Sequence, residues 1–186
     1  MAMVLTLGSV AGCHYVSSQH PVGAPVEDTP GNGGVWQIVG EEDSIVAITA
    51  TGDGRFIMGG LDWDGEVFQV NNIDGIATKE DGVYYLNLDI RDFEDDGEDK
   101  PLAYYFVRVL SIDDTTLVLA HPNAEVFAEA VEAGQLEGSV DRSDNQVAVQ
   151  LTSEPAELND FIDPDQIHRQ FHLDELMILR KLSGDD

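Results

Sequence analysis

A series of short β-type segments separated by tight turns is the feature that most restricts the fold of this chain. Between residues 34 and 120 the apolar and β-branched runs are six to ten residues long, and turns such as Asp64-Gly65 and Asp81-Gly82 separate them. An Asp-Gly pair between two such runs is a strong hairpin signal. Repeated hairpins at this spacing predict an antiparallel meander that forms a barrel or a strongly curved sheet.

The spacing of the apolar residues changes after residue 121. Val126, Phe127 and Ala130 recur at helical spacing, with Asn123 placed as an N-cap and Gly134 at the C-terminal end. Further strands are predicted at 136–140 and 146–152, a helix near 155–162, and a second helix over 165–175, with 176–179 as its end or a short strand. The fold class is therefore mainly β with C-terminal helices, a meander capped by two or three short helices.

The charge balance restricts the partners of this protein. The chain has 36 Asp and Glu residues against 9 Lys and Arg residues, a formal net charge of −27. Nucleic acids are excluded as partners, because binding them depends on basic side chains that neutralise phosphates. Two explanations of the acidity stay open: adaptation to salt, which screens self-repulsion, or an acidic face for cations or a basic partner.

The N-terminus carries a short apolar run that ends in Val10-Ala11-Gly12-Cys13, and Cys13 is the only cysteine. A bilayer-spanning helix needs about 20 apolar residues, so this run is too short to be one. It fits the apolar region and small residues of a secretory signal, although no Lys or Arg precedes it. The segment resembles the lipobox of bacterial lipoproteins, a family in which a peptidase cuts before a cysteine that then carries lipid.

The lipobox resemblance implies a domain organisation and an address. Residues 1–12 are a partial signal peptide, and residues 13–33 hold the lipidated cysteine and a flexible tether rich in Ser, Pro and Gly. A single β-rich domain follows over 34–182, with a charged tail at 183–186. The resemblance places the protein in the cell envelope, lipid-anchored in the outer membrane and facing the periplasm, since His14 rather than Asp follows the cysteine.

The start of the domain, Gly34-Val35-Trp36, resembles the Gly-x-Trp motif of lipocalins and related calycin barrels. That resemblance implies an eight-stranded barrel able to enclose one small apolar ligand. The later Thr-Asp-Tyr-type motif and the closing arginine of lipocalins have no match in this chain. Candidate ligand-lining residues are Trp36, Tyr84, Tyr85 and Tyr105, and core packing is the alternative role for each. Neighbours on a strand point to opposite faces, so one of each adjacent aromatic pair faces inward.

A spacing of i, i+4 and i+7 relates His168, His172 and Glu175. On the predicted helix they share one face and would offer zinc two imidazoles and a carboxylate, while a solvated helix face is the simpler interpretation. Arg169 stands where a zinc protease of the His-Glu-x-x-His type has its glutamate. No pairing of nucleophile and base has a recognisable motif, and no phosphate-binding loop occurs. We therefore expect no enzymatic activity and no cofactor.

These observations lead to two main hypotheses for function. The first is an envelope lipoprotein with a non-enzymatic binding domain whose barrel holds a small apolar ligand or lipid. The second is a structural or assembly protein that uses an outer surface over a filled core, and a hydrolase is a less favoured third. Expected partners are the membrane through the lipid anchor, and a small apolar ligand or an envelope protein. A cavity of several hundred Å³ would favour the first hypothesis, and a filled barrel with an exposed apolar patch the second.

Overall fold

The computed structural model describes residues 14–27, 29, 33–41, 44–63, 68–90, 103–143 and 146–182. The lipobox-like residues 10–13, including Cys13, and the tail 183–186 lie outside these ranges. The strands are β1 (Tyr15–Ser18), β2 (Ala24–Pro25), β3 (Gly34–Ile38), β4 (Ile45–Gly52), β5 (Arg55–Trp63), β6 (Phe68–Glu80), β7 (Val83–Asp89), β8 (Tyr104–Ile112), β9 (Thr116–Pro122), β10 (Gly138–Ser143), β11 (Gln146–Leu151) and β12 (Phe171–Lys181). The α-helices are α1 (Ala124–Glu132), α2 (Pro155–Phe161) and α3 (Ile167–Gln170).

Eight of these strands form a closed antiparallel barrel, which confirms the predicted fold class. Strands β3 to β9 pair in chain order, and β12 closes the barrel between β9 and β3. Within β12, Leu179 lies opposite Ile38 on one side and Leu117 on the other. The closing strand, from the C-terminal part of the chain, is therefore held by one strand from the N-terminal part and one from the middle.

The barrel interior is the first hydrophobic core. Alternate residues of each strand point inward, as the two-residue period of a strand requires. The buried members of this core are Trp36, Ile38, Val46, Ile48, Phe56, Ile73, Ala77, Leu86, Leu88, Val107, Val109, Leu117, Leu119 and Leu179. Gly75 lets the Phe56 ring lie across β6, because a Cβ atom at that position would come within 2.3 Å of Phe56 Cζ.

A second hydrophobic core lies outside the barrel, against the outer side of β7 and β8. It is covered by α1, α2 and the strands β1, β10 and β11, which extend the sheet beyond β8. At its centre, the Phe106 ring meets the rings of Phe127 and Phe171 edge-on, with centroids 5.7 and 6.5 Å away. The predicted first helix is confirmed, since Asn123 Oδ1 accepts from the Glu125 amide and Gly134 follows the helix with a φ of +70°.

The expected flexible tether is wrong for the part of 14–33 that the structure describes. Strand β1 lies between β11, which it pairs in parallel, and β8, which it pairs antiparallel. Val16 and Ser18 are completely buried there. The polar composition of this segment suggested a solvated chain, but its few apolar residues pack into the second core.

Residues 19–27, which we call the strap, continue from β1 across the outer side of the barrel. Asn87 Oδ1 accepts from the Val22 amide at 2.8 Å, and Thr78 Oγ1 donates to the Val22 carbonyl. Asn87 Nδ2 in turn donates to Thr78 Oγ1 at 2.9 Å. Farther along, the Gly23 amide donates to Asn159 Oδ1 of α2 at 3.0 Å. Side chains of β6, β7 and α2 thus satisfy backbone groups that an irregular segment cannot satisfy by itself.

The predicted helix over 165–175 is correct only as far as Gln170, and of the two alternatives for 176–179 the strand is confirmed. The helix α3 ends at Gln170, and β12 begins at the next residue. The residues of β12 have good helix propensity, but the barrel needs an eighth strand, and long-range pairing outweighs a preference of less than 1 kcal/mol per residue. Within the described ranges, every helix is too short or too polar to cross a bilayer.

The strap should depend on Asn87. Replacing Asn87 with alanine leaves the buried Val22 amide without an acceptor, and an unsatisfied buried donor costs roughly 1–3 kcal/mol. We expect Asn87→Ala to lower the free energy of unfolding by about 2–3 kcal/mol and to speed hydrogen exchange in residues 19–27. Asn72→Ala, at an exposed position on the adjacent strand β6, is the control and should change stability by less than about 0.5 kcal/mol. Equal losses from the two variants would contradict this role.

Candidate functional site

The two ends of the barrel differ, and we name them by one residue each. At the Trp36 end, the buried Trp36 ring closes the interior, and Lys181 Nζ lies 5.3 Å from the ring centroid. The indole Nε1 is buried and has no hydrogen-bond partner among the described residues. At the Tyr105 end, Tyr105 and His121 lie side by side on the paired strands β8 and β9, and both point into the interior. Trp36 is absent from the cavity lining, so its position fits the alternative role of core packing.

The barrel interior contains a cavity of about 30 Å³ near the Tyr105 end. Small-molecule sites usually measure ~300–1,000 Å³, about ten times more. The lining is almost entirely aliphatic and aromatic: Ile38, Val46, Ile48, Phe56, Met58, Leu86, Leu88, Tyr105, Val107, Leu117, Leu119, His121, Met177 and Leu179. These side chains fill the barrel and leave space for one or two water molecules.

Tyr105 and His121 are the polar pair at this end of the cavity. The Tyr105 hydroxyl and His121 Nδ1 are hydrogen-bonded. Burial raises the pKa of Tyr105 and lowers the pKa of His121. Both shifts favour the neutral forms, so the bond joins two uncharged groups, and the imidazole tautomer determines which of them donates. Neither residue lies beside an activated nucleophile, and the pair serves to satisfy two polar groups inside an apolar space.

The other candidate tyrosines lie away from the cavity lining. Tyr84 points inward at the Trp36 end, half-buried, with Lys79 Nζ 4.5 Å from its ring centroid. Tyr85 points outward into the second core and lies opposite Arg108 in the β7–β8 register. One tyrosine of the pair therefore faces inward, as expected, but of the four candidates only Tyr105 lines the cavity.

The predicted grouping of His168, His172 and Glu175 on one helix face is wrong. His168 lies on α3, whereas His172 and Glu175 belong to β12. Phe171 pairs with Pro122 and Leu176 with Ala120, so four residues of β12 lie opposite a single residue of β9, and residues 172–175 bulge out of the sheet. His172 and Glu175 lie near enough to His121 to lower and raise its pKa, respectively, as smaller effects beside burial. The described part of the chain contains no cluster of three His, Cys, Asp or Glu side chains suited to a metal.

Five neighbouring barrel strands share an outer face that carries apolar side chains. Outward positions at the end of β9 and the start of β12, such as Ala120 and Phe171, belong to the second core, and the strap contacts the turn before β5, but the rest of the outward side of β9, β12, β3, β4 and β5 has no helix over it. We call this surface the outer wall, and its fifteen outward positions are Thr116, Val118, Leu176, Ile178, Arg180, Leu182, Val35, Gln37, Val39, Ile45, Ala47, Thr49, Arg55, Ile57 and Gly59. Their neighbours along each strand line the cavity, which fixes the outward direction.

The fifteen positions of the outer wall contain no Asp or Glu, although the bulge of β12 beside them carries the exposed Asp174 and Glu175. About one residue in five of this chain is acidic (36 of 186), so fifteen positions would carry about three. Outward positions on the remaining barrel strands do carry acids, including Asp74 and Glu80 on β6 and Asp89 on β7. The ionisable residues of the outer wall are Arg55 and Arg180, both exposed. Strand propensity alone therefore does not explain the absence of carboxylates.

The exposed apolar side chains of the described residues concentrate on the same surface. Six large hydrophobic residues are more than a third exposed, and five of them lie on or beside β3 and β12: Val35, Val39, Leu173, Leu176 and Leu182, with Tyr15 elsewhere. Apolar side chains that cluster in this way mark interaction surfaces. Sequence reasoning missed the outer wall because β12 was assigned to a helix. The signal that would have found it is the run of acid-free alternate positions across successive strands.

The desolvated His121 should make stability depend on pH. Its pKa in the folded state lies below the ordinary histidine value of 6.5, so the unfolded state binds more protons as the pH falls. Stability is therefore fully present above 6.5 and is lost as the pH falls through the folded pKa. We expect urea denaturation to show a larger loss between pH 7.5 and pH 5.5 for the parent protein than for His121→Gln. The four other histidines are common to both proteins, and an equal or larger loss in the variant would contradict the assignment.

Comparison with known proteins does not identify a family for this chain. No family model, no curated protein and no solved structure matches this chain. The function has to be argued from the filled barrel, the Tyr105–His121 pair and the outer wall.

Proposed function

We propose that this protein is a non-enzymatic interaction module of the bacterial envelope, in which a filled β-barrel presents the outer wall to a protein partner. The observation that carries the proposal is the outer wall itself, an apolar surface without carboxylates on a chain of net charge −27. A soluble surface gains nothing from exposing Val35, Val39 and Leu176 together, whereas a protein interface has an apolar centre depleted in charge.

The filled interior supports the partner-binding hypothesis over the ligand-binding one. A cavity of about 30 Å³ cannot hold a lipid or a drug-sized molecule. The aliphatic lining also leaves few polar groups to orient a ligand, apart from the Tyr105–His121 pair. The barrel therefore serves best as a rigid support, because packed strands hold a surface at fixed geometry.

The lipid anchor at Cys13 is the second part of the proposal. Cys13 is followed by His14 and then by β1, so the anchored cysteine would sit two residues from a buried strand. A lipid on Cys13 would hold the domain close to the bilayer rather than at the end of a long tether. Strand β1 lies on the flank covered by the helices, so the outer wall would face away from the anchoring point and stay open to a protein.

Cross-linking in living cells tests the interaction surface. With a photoreactive phenylalanine at Val39, on the outer wall, we expect a discrete adduct that mass spectrometry identifies. The matched control is the same group at Tyr15, which is exposed to a similar degree (44% against 48%) but lies outside the wall. The adduct from position 39 should disappear when Ile178→Glu places a carboxylate in the wall. Adducts from Tyr15 alone, or none from Val39, would contradict the proposal.

Metabolic labelling tests the anchor separately. Expressed in a bacterial host with an alkyne-tagged fatty acid, the protein should incorporate the label and lose residues 1–12, because lipid is attached at the sulfur and amine of Cys13. Cys13→Ala should abolish both. An unlabelled parent protein with Met1 intact would contradict the lipid anchor. The interaction surface would then be tested by the cross-links alone.

A further inference from the structure

We propose that the occupant of the outer wall is a second copy of this chain, so that the protein is a two-fold symmetric dimer with wall packed on wall. This inference rests on the proposed function and names its partner. Its first support is the absence of carboxylates from the wall. Two chains that each carry −27 repel wherever acidic surfaces meet, and like charges placed opposite each other at an interface cost several kcal/mol. On the outer wall the two copies can approach without apposing acids.

The apolar side chains of the outer wall can also pack against a second copy. In a symmetric dimer the same patch is used on both chains, so the patch must be complementary to itself. The outer side of a twisted sheet can pack face to face on another such sheet, with apolar side chains of both interdigitating. The half-buried Val118, Ile178 and Ile57 and the exposed Val35 and Val39 supply that apolar layer.

The charges around the outer wall select one orientation of the dimer. Arg180 and Arg55 lie towards the Trp36 end, where β12 ends and β5 begins. Glu41 lies at the Tyr105 end, in the turn after β3, where it accepts from the Ser44 hydroxyl. A two-fold axis that lies in the interface and crosses the strands brings the Trp36 end of one copy onto the Tyr105 end of the other. The arginines of each copy then face the end of the wall that carries Glu41, Asp174 and Glu175 in the other copy, whereas an axis along the strands would put the arginines together.

The salt dependence of such a dimer has a defined sign. Repulsion between the two net charges acts over the whole surface, while the Arg–Glu pairs at the rim are few and exposed. Screening shortens from about 10 Å at 0.1 M salt to about 3 Å at 1 M. Added salt therefore weakens the repulsion more than the rim pairs, and the dimer becomes tighter. A complex with a basic partner would weaken instead.

Sedimentation equilibrium of the full chain carrying Cys13→Ser, which keeps lipid from confusing the mass, tests this inference. We expect a monomer–dimer equilibrium whose Kd falls at least fivefold between 0.05 and 0.5 M NaCl. Val39→Glu should raise Kd at least tenfold, because it buries a carboxylate against the apolar wall of the partner. Tyr15→Glu makes the same charge change at a similarly exposed site off the wall and should change Kd less than twofold.

A charge exchange tests the orientation with variants at exposed or half-buried side chains. Arg180→Glu should weaken the dimer, and the added Glu41→Arg should restore at least half of the loss. A chain that stays monomeric at all salt concentrations, or equal effects of Val39→Glu and Tyr15→Glu, would overturn the dimer. Wall-dependent binding to phospholipid vesicles without self-association would also overturn it. If the cross-link from Val39 then joins a different protein, the dimer fails while the proposed function stands.

Discussion

The pairing of β12 with both β9 and β3 is the constraint on which the rest of the structure depends. An eight-stranded barrel has no free edge only if its first and last strands are joined, and here the joining strand arrives from the far end of the chain. The register partners Ile38 and Leu179 are 141 residues apart (179 minus 38). Without β12, the first core would lose Leu179 and Met177, and β3 and β9 would expose unpaired backbone groups. Closure therefore creates the filled interior, and it also completes the outer wall.

One flank of the barrel is covered by other parts of the chain and the opposite flank is not. This asymmetry accounts for most of the elements outside the barrel. The flank made by β7 and β8 has apolar outward side chains such as Tyr85 and Phe106, and the chain covers them with helices, β1 and the strap. The flank made by β12, β3 and β4 is also apolar on the outside but receives no covering element among the described residues. Three helices and three strands cover the flank of β7 and β8. The flank of β12, β3 and β4 is therefore open to a binding partner.

Turns and helix caps were predicted correctly from the sequence, because these structures depend on residues that are close together in the chain. Asp81 and Gly82 both have positive φ angles (47° and 84°), as the tight hairpin turn predicted for this pair requires. The N-cap predicted at Asn123 is likewise formed, because it depends on the Glu125 amide two residues away. Prediction failed where the deciding partner is distant: the Val22 amide is satisfied by Asn87, 65 residues away. It failed again at β12, where local helix propensity competed with strand pairing. The proposed His168–His172–Glu175 site failed with that helix, since its geometry existed only on a helical face.

The distribution of charge decides between the explanations of the acidity better than its total does. Adaptation to salt would place carboxylates on every exposed surface, whereas a specific acidic face would gather them in one place. Among the described residues neither pattern is seen: acids lie on outward positions of β6, β7 and β10, in the bulge of β12, on the helices and in the turns, and the fifteen positions of the outer wall have none. A general surplus of acids opposes association, and this repulsion is weakest where the fifteen positions of the outer wall meet. The acidity and the outer wall then act together. The excess of Asp and Glu suppresses non-specific association through charge repulsion, and the outer wall, which lacks these residues, is the surface on which association is least opposed.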